Sequence, residues 1–278
     1  QASVVCSCRK LREISLSGML SRALAHVYPR FRHPPALEAA AGASSLSSSA
    51  ERRKAFALHL VTDDLWFDHA FYDKIQAAVE GGVTCVQLRL KQVNTARFVE
   101  AAERVKKITE EADVPLIIDD RLDVALAVEA DGLHVGAEDL PWRAARRLLG
   151  PHRILGCSTY GKSDLVEEAL STEVSADYLG SGTVFISPTK HSSTPQGPGH
   201  LRGMKALIAS KSPKRDVPLI AIGGVRLENT GDCIQKGADG VAVVSSLLSC
   251  DTAKATREAA AKMLQAIHES WQIRGQGL

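Results

Sequence analysis

The sequence predicts an α/β protein, an eight-stranded parallel barrel of the TIM (β/α)8 type. Three observations predict it. From Phe56 onward, short apolar runs recur, and none alternates strictly, as strands buried on both faces of a parallel sheet require. Stretches of helical period lie between the runs. The alternation continues for ~220 residues, the arithmetic of eight strand–helix units closing as one domain. A doubly wound open sheet is the rival, but no G-x-G-x-x-G follows the first run.

In chain order, residues 1–54 stand apart. They are rich in Arg, Ser and Ala, and their only acids are Glu13, Glu38 and Glu51. Arg-rich, Ser-rich, acid-poor N-termini mark organelle transit peptides of plastid or mitochondrial type. The alternative is a linker from a larger fusion, since the chain starts at Gln1. Either way the segment is set outside the fold as a disordered extension, and the barrel domain is placed at 55–278. The strand-like runs are Ala57–Val61, Cys85–Leu90, Pro115–Ile118, Gly132–Val135, Ile154–Cys157, Asp177–Leu179, Pro218–Ile222 and Gly240–Val244. Between them, Phe98, Ala101, Ala102, Val105 and Ile108 share one helical face, as do Ala260, Met263, Leu264, Ile267 and Trp271. Three strands are entered through a repeated phrase, Ala130-Asp131-Gly132, Ala176-Asp177-Tyr178 and Ala238-Asp239-Gly240, a weak repeat of a helix-to-strand turn.

Composition narrows the function. The chain is 45% hydrophobic and 24% charged, ordinary for a globular domain, and its net charge of +2 implies no nucleic-acid partner. No apolar run reaches the ~20 residues a membrane span needs. Cys85, Cys157, Cys233 and Cys250 show no metal-ligand spacing and read as small buried hydrophobes in a reducing compartment.

A barrel of this kind does its chemistry in the loops after the strands. Gln87, Arg89 and Lys91 alternate to one side of the second strand's end, and two cations there call for an anion or for neighbouring carboxylates. Asp119-Asp120 ends the third strand and Glu138-Asp139 follows the fourth. Asp120 and Asp139 together suit a hard cation such as Mg²⁺, and either alone would suit a helix cap. Ser158 offers a hydroxyl after the fifth strand. Gly223-Gly224 and Val244-Ser245 after the seventh and eighth form the usual phosphate position of the architecture, the alternative being a tight turn. The loop from Ala176 to Gly199 holds Ser187, Thr189 and Lys190, suited to an anion, and Gly180 and Gly182, which permit close approach to a ligand. His134 lies within a strand and reads as a core histidine. The layout suits two phosphorylated molecules joined with loss of diphosphate.

These residues resemble a known family, thiamine-phosphate synthase, over roughly Leu58 to Leu264. The motifs are VQLRLK, LIIDDRLDVAL, ADGLHVGAEDLP, ILGCST, ADYLGSGTVFISPTK, IAIGGV and GADGVAVVSSL. The resemblance implies a transferase that condenses hydroxymethylpyrimidine diphosphate with hydroxyethylthiazole phosphate, giving thiamine phosphate and diphosphate. It implies that Gln87, Arg89 and Lys91 grip the pyrimidine diphosphate, and that Asp120 and Asp139 hold Mg²⁺. Ser158 and Lys190 would contact the pyrimidine substrate or its diphosphate, and Ser187, Thr189, Gly224, Val244 and Ser245 the thiazole phosphate. It also leaves room for a homo-oligomer and for a fused or associated pyrimidine kinase, although no G-x-x-x-x-G-K-[ST] occurs in the chain.

The chain departs from the family pattern in three places. Leu90 replaces a usual Glu and is expected to point away from the mouth. Asp119 stands where Asn is usual and cannot donate when ionised, which puts that substrate contact in doubt. Ser187 replaces a Thr and keeps the hydroxyl. The rival functions are a thiazole tautomerase of the same fold and a non-catalytic precursor-binding domain. A tautomerase would not need Arg89, Lys91, both metal acids and Lys190 together.

Overall fold

The computed structural model describes residues 48–187 and 194–276. The strands are β1 (Leu58–Val61), β2 (Cys85–Leu88), β3 (Leu116–Asp119), β4 (Gly132–Val135), β5 (Ile154–Ser158), β6 (Tyr178–Ser181), β7 (Leu219–Ile222) and β8 (Gly240–Val243). All are parallel and pair in sequence order, and β8 returns to β1 to close the barrel. The sequence-derived runs therefore lie within a residue or two of the observed strands. Closure removes the sheet edges that an open sheet would expose.

Strand residues divide by parity. Leu58, Leu60, Val86, Leu88, Leu116, Ile118, Leu133 and Val135 face outward into the layer shared with the helices. Val61, Cys85, Ile117, Ile154, Tyr178, Ile220 and Ala242 fill the barrel interior, and Phe56 joins them. Leu90 is buried in the outer layer, turned away from the mouth as expected.

The covering helices carry apolar stripes. In α3 (Thr95–Glu111), capped by Asn94, residues Phe98, Ala101, Ala102 and Val105 are buried. The last helix, α10 (Ala253–Gln276), buries Ala260, Met263 and Ile267, while Leu264 and Trp271 are partly covered. The other covering helices are α2 (Phe71–Glu80), α4 (Leu122–Ala127), α5 (Trp142–Leu149), α6 (Ser163–Leu170), α7 (His200–Lys211), α8 (Leu227–Gln235) and α9 (Ser245–Leu248). Among the described residues, no helix is long and apolar enough to cross a membrane.

Among the described residues a helix already precedes the 54/55 boundary drawn from composition. Helix α1 (Ser49–Ala55) opens with a capping box: Glu51 N–H donates to Ser48 Oγ, and Ser48 N–H donates to the Glu51 carboxylate. Composition hid this helix because its polar face is what the count registered. Residues 1–47, and with them most of the extension, lie outside the described residues.

The repeated Ala-Asp phrase has a structural job. Asp131 accepts from Leu116 N–H at 2.9 Å, Asp177 from Leu155 N–H at 2.9 Å, and Asp239 from Leu219 N–H at 3.0 Å. Each aspartate precedes an even-numbered strand and ties its start to the odd strand before it. Thr84, just before β2, does the same for Leu58 at 2.9 Å. Asp177 also pairs with Arg146 at 2.7 Å, and Asp239 with Lys205 at 2.6 Å, Arg274 at 3.2 Å and Arg53 at 3.4 Å. Asp239 is almost fully buried, so these partners are what make its charge tolerable there.

The described cysteines are free thiols. Burial pushes the Cys85 and Cys157 thiols well up and Cys233 to about 12, so they stay protonated. Cys250 is only half-buried, unlike the expectation.

Candidate active site

The inward parity that is apolar at the bottom of the barrel turns polar at the C-terminal ends of the strands. There Gln87, Asp119, His134 and Ser158 take the positions held one layer below by Cys85, Ile117, Gly132 and Gly156, and all four line one cavity at the barrel mouth. One wall is charged. Arg89 donates to Asp63 and lies 3.5 Å from Asp119 Oδ2. Lys91 Nζ reaches Asp120 Oδ2 at 2.8 Å. Burial alone would lower the Lys91 ammonium, but the hydrogen bond and charge of Asp120 outweigh it and hold the group above the ordinary lysine value.

Asp120 and Asp139 come together from adjacent strands. Neither serves as a helix cap: α4 is entered through Arg121 and α5 through Pro141, both without a side-chain cap. Asp139 instead accepts from Gly136 N–H at 3.0 Å. Its carboxyl is raised, first by burial and then by a hydrogen bond to Asp120 and the charge of that group. Asp120 has φ +60, a left-handed conformation costly for a non-glycine residue and often found at functional sites.

The floor is a run of polar contacts. Gln87 Nε2 donates to Asp119 Oδ1 at 2.6 Å, and Tyr178 OH lies 3.5 Å from Gln87 Oε1. His134 joins Tyr178 OH through Nδ1 at 2.9 Å and Ser158 Oγ through Nε2 at 2.8 Å. Tyr160 also hydrogen-bonds to Ser158. Burial, reinforced by Asp120 and opposed by Arg89, Lys91 and Gln87, raises the Asp119 carboxyl to about 7. The expectation of a merely packed His134 is corrected here. It occupies an inward position of β4, in register with Asp119, and lines the cavity.

The opposite wall comes from the ends of β6 to β8. Ser187, Gly223, Gly224, Val244 and Ser245 line it, and Ser245 opens helix α9. Gly223 (φ +98) and Gly224 (φ +64) need glycine for conformation and for space: a Cβ on Gly224 would sit 2.3 Å from Ile186 O. Gly180 and Gly182 line the cavity too, and a Cβ on Gly182 would lie 2.0 Å from Ile222 O, so its small size also admits β7. Thr189 and Lys190 lie outside the described residues. The loop that carries them is anchored on both sides, Val184 and Phe185 donating to Ile222 O and Gly223 O, and Gln196 to Thr183 O and Tyr160 O.

Known proteins resemble the chain that carries this site. A family model described as thiamine monophosphate synthase matches residues 58–247, the span from β1 past β8. The chain belongs to the thiamine monophosphate synthase family. The thiamine-phosphate synthase of Clostridium acetobutylicum is 40% identical over 201 residues, 72% of this chain and 90% of that protein. That of Caldanaerobacter subterraneus subsp. tengcongensis is 37% identical over 227 residues, 81% and 99% of the two chains. Among solved structures, the thiamine phosphate pyrophosphorylase of Pyrococcus furiosus superposes with a TM-score of 0.67 at 31% identity, covering 78% of this chain and 98% of its own.

With the family in view, the donor set can be tested for Mg²⁺. Among the described residues no cluster of three or more His, Cys, Asp or Glu could hold a metal by itself. Two hard carboxylates facing one another do fit Mg²⁺, which commonly takes one or two protein carboxylates and completes its shell with water and substrate phosphate.

Sequence reasoning missed Asp63, Asp64, His134, Tyr160 and Tyr178. The two acids follow the end of β1, where Asp64 accepts from Lys91 N–H at 2.8 Å and Gln92 N–H at 3.0 Å. The rule that acids after a strand end matter was applied to β3 and β4 and would have found them. Nothing local marks the histidine and the tyrosines.

Proposed function

We propose that the chain makes thiamine phosphate, joining a hydroxymethylpyrimidine diphosphate to a hydroxyethylthiazole phosphate with release of diphosphate. The observation that carries this is a single cavity with two anion positions: Arg89 and Lys91 beside Asp120 and Asp139 on one wall, and Gly224, Val244 and Ser245 on the other. A proton-shifting tautomerase has no use for the first of these.

In this reading Arg89 and Lys91 hold the diphosphate, and Lys190 adds a third cation from the loop after β6. Asp120 and Asp139 would hold Mg²⁺, which neutralises charge building on the leaving oxygens. Gln87, Asp119 and Ser158 line the pyrimidine side. Ser187, Thr189, Gly224, Val244 and Ser245 take the thiazole phosphate, with the first turn of α9 aimed at it. The C–O bond to the diphosphate breaks with both electrons leaving on oxygen. The resulting pyrimidine-methylene cation is captured by the thiazole nitrogen, forming the C–N bond. Cations fixed where negative charge develops stabilise that departure without reorganising.

The assay is formation of thiamine phosphate and diphosphate from the two precursors, with and without Mg²⁺. Product that requires Mg²⁺ supports the reading, whereas binding of both precursors without product favours a binding domain. Residues 1–54 fit an organelle-targeting segment, which the N-terminus of the mature protein would test. A pyrimidine kinase, free or fused, would supply the diphosphate substrate, and light scattering reads any homo-oligomer.

A further inference from the structure

Four polar groups cross the barrel as the cavity floor, from Ser158 on β5 through His134 and Tyr178 to Gln87 on β2. They end at Asp119. In its ionised form this carboxylate meets a donor at each oxygen, Gln87 Nε2 at Oδ1 and the Arg89 guanidinium at Oδ2. Asp119 is therefore the acceptor end, and the direction of every other bond follows from it. The Gln87 amide turns its NH2 to Asp119 and its Oε1 to Tyr178. Tyr178 OH donates to Oε1 over a long 3.5 Å and so accepts from His134 Nδ1–H at 2.9 Å. The neutral ring then has its lone pair on Nε2, where Ser158 Oγ–H donates at 2.8 Å. All bonds point the same way, the arrangement in which neighbours polarise one another.

The barrel is shaped around this chain. A Cβ at Gly156 would lie 2.2 Å from Tyr178 Cζ, 2.4 Å from its hydroxyl and 2.6 Å from His134 Nδ1, so β5 omits a side chain where the histidine and tyrosine meet. Gly156 has no positive φ to explain it. Tyr178 is fully buried and packs on Phe56 and His59 at ring distances of 4.9 and 5.1 Å, so the hydroxyl is held in place from below.

We propose that His134 and Tyr178 are positioning residues that lock the Ser158 hydroxyl and the Gln87 amide into one oriented unit, so that Ser158 meets the pyrimidine substrate as a hydrogen-bond acceptor. The only proton on Ser158 Oγ is spent on His134 and the Tyr160 hydroxyl takes one lone pair, which leaves the other lone pair for the cavity. A ring bearing an exocyclic amine is the complementary partner. Tyr178 does not line the cavity and His134 does, and the role assigned to both is to act through Ser158 and Gln87. The proposal rests on the synthase reading for the identity of the ligand.

Tyr178→Phe removes one hydroxyl and keeps the ring packing. Calorimetry with the pyrimidine diphosphate is expected to show binding weakened about tenfold, the size of one or two lost oriented contacts. Binding of inorganic diphosphate, which lacks the ring, should stay within twofold. In steady state the KM for the thiazole phosphate should not move. In the cycle Tyr178→Phe, Ser158→Ala and the double variant, the losses should not multiply, because one unit is being broken twice. His134→Asn, which cannot bridge both neighbours, should resemble Tyr178→Phe. Unchanged pyrimidine diphosphate binding in Tyr178→Phe, with or without a lower Tm, would overturn the proposal, and so would fully multiplicative losses. A wild type that binds the pyrimidine diphosphate but never forms thiamine phosphate overturns the synthase reading alone, since the binding arm still reads the positioning. A wild type that does not bind it overturns both.

Discussion

Asp119 has both oxygens turned to donors, Gln87 on one side and Arg89 on the other. Its charge sits in the wall proposed to hold a diphosphate, where it opposes that ligand. Asp119→Asn keeps the oxygen that Gln87 donates to and removes the charge. The expected gain is about 1 kcal/mol, a roughly fivefold lower KM for the pyrimidine diphosphate at pH 8. A KM that stays or rises would assign the carboxylate to holding Arg89 rather than opposing the ligand. Lys190→Ala is expected to lower kcat at least about tenfold, since one charge-assisted contact to a leaving group contributes ~1.5–3 kcal/mol. Unchanged turnover would remove Lys190 from the mechanism. These residues were legible from sequence because each follows a strand end. His134 and Tyr178 were not, because their partners lie 24 and 91 positions away, on strands whose relative register only closure of the barrel sets.

At the level of elements, strand and helix periods were readable because burial on both faces leaves an apolar signature that needs no partner to be recognised. The aspartates of the repeated phrase were visible as a pattern but silent as to purpose, since their acceptor role appears only when an even strand lies beside an odd one. Their energetic rank follows from burial. Asp239→Ala leaves Lys205 and Arg274 facing an empty site and Leu219 N–H without its acceptor, so an urea titration should show ~3–5 kcal/mol of lost stability. Thr84→Val gives up only neutral hydrogen bonds to Leu58 and should cost about 1 kcal/mol. Comparable losses in the two variants would show that the ion cluster adds nothing to the clamp. In the folded protein neither change should alter KM for either substrate, because both lie at the starts of strands, away from the cavity.

For the whole molecule, the barrel interior couples stability to pH through His59. It is fully buried among Phe56 and Tyr178, and its Nε2 has no hydrogen-bond partner among the described residues. Burial, with the nearby His134, lowers its pKa to about 3. The unfolded chain takes up this proton near pH 6.5 and the native state only near pH 3. The stabilising contribution is therefore complete above about pH 6.5 and is lost as pH falls toward 3, at up to ~1.4 kcal/mol per pH unit. His59→Leu should remove that slope. Urea midpoints of the two proteins measured from pH 7 to pH 4 should converge and then cross in the variant's favour, while parallel curves would mean that His59 does not carry the effect.

The clamps ahead of β2, β4, β6 and β8 have a consequence for how the ring is assembled. Each ties an even strand to the odd strand before it, and their donors and acceptors all lie within the pairs β1–β2, β3–β4, β5–β6 and β7–β8. The barrel is thus a ring of four two-strand modules, each bolted at its strand starts, while other side-chain bonds, such as Gln87 to Asp119 and His134 to Ser158, cross between modules at the mouth. A chain divided in the turns ahead of β3, β5 or β7 keeps each of these four strand-start hydrogen bonds within one fragment, and such halves should reassemble. Division ahead of β4, β6 or β8 separates a bolt from its seat.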